Sequence, residues 1–183
     1  MTAVSRSSEV YNAVKFLRDV HRDVATLIES VDSDLDEKGW ERTQKNRVSS
    51  GLSNDLSPDW WVIQFVARFY VPRGAATAAS AIVFSVVFLP EAHDHAIAFC
   101  VGAKLAPAVP RENLWQGWRD ARRFLQSLST HQSGGQVDPD ILRDGFIPGA
   151  SFGVAAVSPL LELETMDIVR DRLLFPALEA FRP

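Results

Sequence analysis

The sequence predicts an α+β protein, in which a long N-terminal helix and further helices pack on an antiparallel sheet of three to five strands. Three observations support this prediction. A helical apolar pattern opens the chain, three segments rich in β-branched and aromatic residues follow it, and helical patterns return towards the C-terminus. Only short turns separate the three strand segments, and short connections imply antiparallel hairpins.

The first helix is the most informative element, because its apolar residues recur at alternating spacings of four and three. This seam consists of Val10, Val14, Leu17, His21, Val24, Ile28, Val31 and Leu35. Ala13, Val20 and Leu27 widen the seam into a stripe, which favours packing on a sheet or on several helices. We expect the helix to bind a partner protein or a second copy of the chain through this seam, at Val24 and Ile28.

Length and composition limit the class of protein. The chain of 183 residues has the size of one ordinary domain, so we expect residues 1–183 to form a single α+β domain. The net charge of −4 offers no general attraction to nucleic acid. No segment has the roughly 18 consecutive apolar residues of a membrane span, and the start lacks a secretory signal. A cytoplasmic protein that does not bind a membrane is therefore the expected class.

The remaining elements follow in order along the chain. Ser7 or Ser8 can cap the first helix and Gly39 can end it. Segments 39–59 and 127–137 are predicted to be long or mobile connections, the first with an edge strand at Thr43–Val48. The other predicted elements are strands at Trp60–Val71, Ala79–Leu89 and His95–Lys104, a helix at Arg111–Ser129, a short helical turn ending at Gly145, a strand at Ala150–Ser158, and a helix from Thr165 that bends or restarts at Pro176.

Alternation of side chains divides each strand into two faces. On each predicted strand the larger apolar side chains lie in one row, and these rows contain Phe69, Phe84 and Phe99. Placing the three rows on the same side of the sheet predicts one apolar face that packs on the main core. The opposite face then has a shallow floor of small residues beneath larger side chains. We interpret this face as a docking surface for a partner helix, peptide or small ligand, with binding residues Trp60, Gln64, Arg68 and Tyr70. The alternative is that one of the chain's own helices covers the face, in which case Arg68 is buried and paired.

The hairpin between the second and third strands is the one place with the composition of a metal site. Glu91, His93, Asp94 and His95 could offer ligands to zinc or manganese on one side of a tight turn. An exposed polar turn accounts for the same residues, and it lacks the supporting hydrogen bonds that hold ligands in place. We therefore expect neither a metal nor another cofactor.

A basic group on the predicted second helix is the only candidate for nucleic-acid binding. Arg119, Arg122 and Arg123 accompany Trp115 and Trp118, and arginine with exposed aromatic side chains is typical of contacts to phosphates and bases. Acidic residues dilute this charge, so a solvated outer helix face is favoured. Cys100 lies in an apolar run without an adjacent base, and no catalytic motif of recognisable spacing is present.

The sequence therefore favours a non-enzymatic protein-interaction subunit, acting as an adaptor, a chaperone-like protein or a scaffold component of a larger bacterial assembly. By analogy at the level of the fold alone, small acidic α+β proteins include dimeric secretion chaperones that bind polypeptides without doing chemistry. The alternative function is that of a metal-dependent hydrolase or nuclease that uses Glu91, His93, Asp94 and His95.

Overall fold

A computed structural model describes residues 3–43, 49–50, 65–88, 94–114, 135–145 and 147–181 of the chain. It confirms the α+β class, with a long N-terminal helix, further helices and an antiparallel sheet. The first helix, α1, spans Ala3–Glu37 and, at about 1.5 Å per residue, is about 50 Å long. It begins a few residues before the predicted caps, and it ends as predicted before Gly39, whose φ of 83° suits glycine.

Seven strands form the sheet within the described residues. They are β1 (Trp40–Arg42), β2 (Ser49–Ser50), β3 (Phe65–Pro72), β4 (Thr77–Val87), β5 (Ile97–Pro110), β6 (Gly135–Val137) and β7 (Ala150–Pro159). The order across the sheet is β1-β3-β4-β5-β7-β6, and every pairing is antiparallel. Because β1 and β2 pair with successive parts of β3, they lie end to end along one edge and the sheet is six strands wide.

The predicted count of three to five strands was too low, because β1, β2 and β6 have only two or three residues each. Such short strands cannot display the two-residue alternation that identifies a strand in a sequence. β1 and β2 lie in the segment 39–59, and β6 ends the segment 127–137, so both predicted connections contain strands. Of the predicted edge strand, Thr43 forms a turn after β1 and the other residues lie outside the described ranges.

The register of β4 contradicts the predicted pairing of bulky rows. Phe84 pairs with Arg68 on one side and with Cys100 on the other, so the bulky row of β4 shares a face with the small residues of β5. Ser85, from the small row, instead lies beside Phe99 on the opposite face. Each face thus combines large and small side chains, which fills space more evenly than a bulky face and a shallow face would.

Helices cover both faces of the sheet. One face packs against Leu114, against α2 (Pro139–Gly145) through Leu142, and against Ile147. The other face packs against the C-terminal half of α1 and against a C-terminal helical segment, residues 166–181, which we call α3. Two separate apolar cores result, and α1 and α3 share the second of them.

α3 changes its helical type along its length. Thr165 caps an α-helical turn, Met166–Val169, which is followed by a π-helical turn, Arg170–Leu174, and an α-helical turn, Phe175–Leu178. The π-helical turn ends two residues before Pro176, where the sequence predicts that the helix bends or restarts, because proline cannot donate the hydrogen bond that continues a regular helix. α3 rests on β5 without an intervening side chain: a Cβ atom at Gly102 would lie 1.9 Å from the carbonyl oxygen of Ala177.

Strand β5 is longer than predicted and continues through Pro107 to Pro110. Proline is compatible with this region because the pairing is irregular there, with register shifts after Ala78 in β4 and after Lys104 in β5. Residues 111–114 of the predicted second helix form a 3-10 turn, and the rest of that helix lies outside the described residues. α2 and β7 lie where the sequence predicts them.

Candidate functional site

The exposure of the seam falls steadily along α1. Val10 is 64% exposed, Val14 60% and Leu17 39%, whereas Val24 is 5% exposed and Val31 is fully buried. These residues share one helix face, so the change reports where the helix meets the sheet. We call residues 7–20 the outer half of α1 and residues 21–37 the inner half. The inner half packs on the sheet, and the outer half extends past it.

The outer half carries most of the exposed large apolar side chains. Seven such side chains are exposed within the described residues, and five of them lie in the outer half. The five are Val10, Tyr11, Val14, Phe16 and Leu17. Scattered exposed apolar residues are ordinary on a protein surface, but Val10, Tyr11, Val14 and Leu17 recur at three- and four-residue spacings and share one helix face, where they form a patch of the kind that marks an interaction site. Phe16, four residues after Asn12, lies on the other side of the helix and is not part of this patch.

A buried polar cluster joins the inner half of α1 to β3. The carboxylate of Asp32 accepts hydrogen bonds from Arg68 Nε at 3.1 Å and Nη2 at 2.6 Å, and from the Tyr70 hydroxyl at 2.8 Å. Arg42 on β1 donates a further hydrogen bond at 3.1 Å. Arg68 and Tyr70 are buried, and the arrangement neutralises the charge of Arg68 under the helix.

The protonation of Tyr70 is fixed by the same surroundings. Burial raises the pKa of the Tyr70 hydroxyl well above its ordinary value of 10.0, and the negative charge of Asp32 raises it further. Tyr70 therefore stays a hydrogen-bond donor throughout the physiological range. The Tyr70 hydroxyl thus helps to hold the helix on the sheet and has no proton to release near neutral pH.

A second polar cluster joins α1 to α3. Asp34 accepts hydrogen bonds from Lys38 Nζ and from Arg170 Nε, each at 2.5 Å. Burial by itself would raise the pKa of Asp34, but the hydrogen bonds and charges of Lys38 and Arg170 outweigh it and lower the pKa. With the hydrogen bond to Asp34 as the main cause, the pKa of Arg170 is raised. The inner half is thus attached to the sheet through Asp32 and to α3 through Asp34.

The two described members of the predicted sheet surface, Arg68 and Tyr70, are not open to a partner. Arg68 and Tyr70 lie under α1, so the alternative in which the chain's own helix covers this face describes the structure. Val24 and Ile28 are buried in the same core. Trp60 and Gln64 lie outside the described residues. The docking surface inferred from the shallow face is therefore corrected, because that face is neither shallow nor uncovered.

The residues proposed for other chemistry are only partly described. Asp94 and His95 are exposed neighbours, with His95 Nδ1 2.7 Å from Asp94 Oδ1, while Glu91 and His93 lie outside the described ranges. Within the described residues no group of three or more His, Cys, Asp or Glu side chains could hold a metal ion. The metal site at this hairpin stays an untested alternative. Arg119, Arg122 and Arg123 lie outside the described part of the chain.

Cys100 is confirmed as a buried residue of the core. Burial raises the pKa of its thiol, so the thiol stays protonated and unreactive.

Sequence reasoning missed Asp32 and the division of α1 into two halves. Asp32 directly follows the seam residue Val31, so it lies on the flank of the stripe, where its carboxylate can reach a cation on the packed surface. Arg68 lies in a row of β3 that also contains apolar side chains. Its burial would therefore require a carboxylate partner, and this was the signal that pointed to a residue such as Asp32. The outer half gave no signal, because its apolar spacing is the same as that of the inner half.

Comparisons with protein-family models, with curated proteins and with solved structures find no match for this chain. Among the described helices, none is both long and apolar enough to span a membrane.

Proposed function

We propose that this chain is a non-enzymatic protein-interaction subunit that docks to its partner through the outer half of α1. The observation that carries the proposal is the patch formed on one helix face by the exposed side chains of Val10, Tyr11, Val14 and Leu17. Full burial of one such side chain is worth about 1.5–3 kcal/mol, so covering even part of the patch gives a substantial driving force for association.

The types of residue in the patch support this function. Tyr11 is 68% exposed, and aromatic side chains supply large contact areas at interfaces. Aliphatic Val10, Val14 and Leu17 lie beside it on the same helix face. An amphipathic helix that presents such anchors at three- and four-residue spacings is a common mode of protein recognition.

The attachment of the inner half supports the proposal from a second direction. Because Asp32 and Asp34 hold α1 to β3 and to α3, the outer half continues a helix whose other end is fixed. A surface that is already ordered loses less conformational entropy on binding than a flexible segment does. This arrangement suits an adaptor, a chaperone-like protein or a scaffold component in the cytoplasm.

Site-specific photocrosslinking tests the proposal. A photoreactive amino acid replaces Val14, on the apolar patch, or Asn12, on the exposed opposite face of the same half, in cells that produce the chain naturally. We expect a defined protein adduct from position 14 and none from position 12. Equal adducts from both positions, or none from either, would refute docking through the patch.

A further inference from the structure

We infer that the partner segment that docks on the outer half of α1 is a short amphipathic helix with carboxylates along one flank. The inference deepens the proposed function, on which it rests, by naming the chemistry of the partner. It starts from the charges beside the apolar patch. The residues that directly follow four seam members are Tyr11, Lys15, Arg18 and Arg22, at spacings of four, three and four. These spacings repeat those of the seam, so the four residues form a row along one side of the patch, which we call the cationic flank.

The cationic flank keeps most of its charge for a partner. Its three cations are exposed, and within the described part of the chain Lys15 and Arg18 form no ion pair. Arg22 donates a hydrogen bond to Asp19 at 3.0 Å, but both side chains of this pair are exposed, and exposed ion pairs are weak. The flank is therefore a locally basic surface on a chain whose net charge is −4.

The opposite flank of the patch differs in charge. The residues that directly precede the same four seam members are Glu9, Ala13, Phe16 and Val20, and this row contains no cation. In paired helices the side chains that border the apolar seam meet the charges on the partner's border, and they determine which partner binds. One basic flank and one without cations therefore favour a partner whose carboxylates lie on one side of its own apolar residues.

The chain's own sheet limits the shape of this partner. Val10 and Leu17 share a helix face with Val24 and Val31, which pack in the core beneath α1. An anionic membrane also attracts a helix that has apolar and cationic residues. However, a flat bilayer laid over Val10 and Leu17 would meet the sheet, because the sheet lies on the same side of α1. A single helix is only about 10 Å wide and avoids this conflict.

The end of the sheet limits the length of the docked helix. His21 packs edge-on against Phe88, just beyond the end of β4, with 5.0 Å between the ring centroids. The partner helix must stop before this contact, so it covers at most the outer half, which is about 20 Å or four turns long. Lys15 and Arg18 lie within this span, and Arg22 lies at its edge. Lys15 and Arg18 are therefore the cations to test.

Binding of three designed peptides to the full chain tests the charge of the partner. Each peptide is a stapled helix of about four turns with leucine at its seam positions, and one flank carries only glutamate, only glutamine or only lysine. We expect the glutamate peptide to bind about tenfold more tightly than the lysine peptide, with the glutamine peptide between them, because several weak ion pairs act in one row. Fluorescence anisotropy measures the three affinities. Added salt should reduce the difference, because it screens exposed charges.

Substitutions in the chain test which residues read this charge. Lys15→Gln with Arg18→Gln should abolish the preference for the glutamate peptide, and Lys15→Glu with Arg18→Glu should reverse it in favour of the lysine peptide. A merely structural role of these residues would weaken all three peptides alike. Thr26→Asp with Ser33→Asp changes the net charge by the same amount as the glutamine variant, but on an exposed face of the inner half, and should keep the preference. Circular dichroism of each variant verifies that the fold is retained.

The photocrosslinked partner supplies an independent test. Mass spectrometry of the adduct from position 14 identifies the partner segment that lies on the patch. We expect this segment to have apolar residues at three- and four-residue spacings and more carboxylates than cations beside them. An adduct on a segment with more cations than carboxylates would overturn the inference, although docking through the patch would still stand.

The other failures are also distinguishable. Equal binding of the three peptides, or binding of none, would refute the acidic helix, and a defined adduct from position 14 would then still support the proposed function. Loss of that adduct as well would refute both. The full chain should not bind vesicles of phosphatidylcholine and phosphatidylserine. Vesicle binding that Lys15→Gln with Arg18→Gln abolishes, without a preference for the glutamate peptide, would identify a membrane surface as the occupant instead.

Discussion

Asp32 on α1 and Arg68 on β3 form a two-point ion pair, with Nε 3.1 Å from Oδ1 and Nη2 2.6 Å from Oδ2. Both side chains are at most 10% exposed. A planar guanidinium that meets both oxygens of a carboxylate fixes orientation as well as distance. The pair therefore sets how α1 lies across the sheet, and through α1 it sets where the outer half projects.

We expect Arg68→Ala to destabilise the fold by about 3 kcal/mol, because Asp32 would remain buried without its main cationic partner. Tyr70 and Arg42 still donate to Asp32, which keeps the cost near the lower end of the usual range. Urea unfolding followed by circular dichroism measures this change. Arg73→Ala, which removes an exposed ion pair with Asp36, is the control and should cost less than about 1 kcal/mol. A fully stable Arg68→Ala chain would show that the pair does not hold α1.

The sequence was sufficient for the elements with long, regular patterns. α1, β4 and β7 were predicted because their side chains repeat over two or more periods. Which side chains of β4 share a sheet face with those of its neighbours was not predictable. Either assignment buries an apolar row of β4. The assignment that forms depends on how Phe84 fits beside Cys100 on the neighbouring strand. The exposure of Val10 and Val14 was not predictable either, because apolar spacing does not say where the sheet under a helix ends.

The two halves of α1 should respond differently to the same substitution. Ile28→Asp places a charge in the core shared with α3, so we expect a loss of more than about 3 kcal/mol in unfolding free energy. Val14→Asp replaces a side chain that is 60% exposed and should change the stability of the monomer by no more than about 0.5 kcal/mol. Thermal unfolding at high dilution compares the two variants. Equal losses would mean that the outer half is also covered within the chain.

Gly102 and Gly153 should differ in their tolerance of alanine. A Cβ atom at Gly102 would meet the backbone oxygen of Ala177 at 1.9 Å, so α3 would have to move as a unit. At Gly153 the nearest atom is Leu142 Cδ1, at 2.3 Å, which is the end of a side chain that can rotate away. We expect Gly102→Ala to cost more than about 3 kcal/mol and Gly153→Ala about 1–2 kcal/mol. Chemical unfolding of both variants tests this order, and the reverse order would contradict the packing of α3 on β5.

Asp34 should contribute to acid unfolding. Because the pKa of Asp34 is lower in the folded chain than its ordinary value of 3.8, its contribution to stability is present above pH 3.8 and is lost as the pH falls through the folded pKa. Asp34→Asn removes this titration, so we expect the variant to be less stable than the unaltered chain at neutral pH and the difference to shrink below pH 3.8. Asp36→Asn, at an exposed carboxylate, controls for the loss of any acidic group. A stability difference that stays constant across this range would contradict the ion pairing of Asp34 with Arg170 and Lys38.

Tyr70 should make the fold sensitive to alkali. Because the pKa of its hydroxyl is raised in the folded chain, the contribution of Tyr70 to stability is complete below pH 10 and is lost as the pH rises towards the folded pKa. The sequence has only two tyrosines, so Tyr11→Phe leaves Tyr70 as the sole source of phenolate absorbance. In that variant we expect phenolate to appear only together with the loss of the folded circular dichroism signal, since ionisation requires release from Asp32 and the core. Raising the pH from neutral to 11 should lower the unfolding free energy of Tyr70→Phe less than that of the unaltered chain. Phenolate absorbance that rises near pH 10 while the chain remains folded would show that Tyr70 is accessible to solvent, and it would overturn the buried cluster beneath α1.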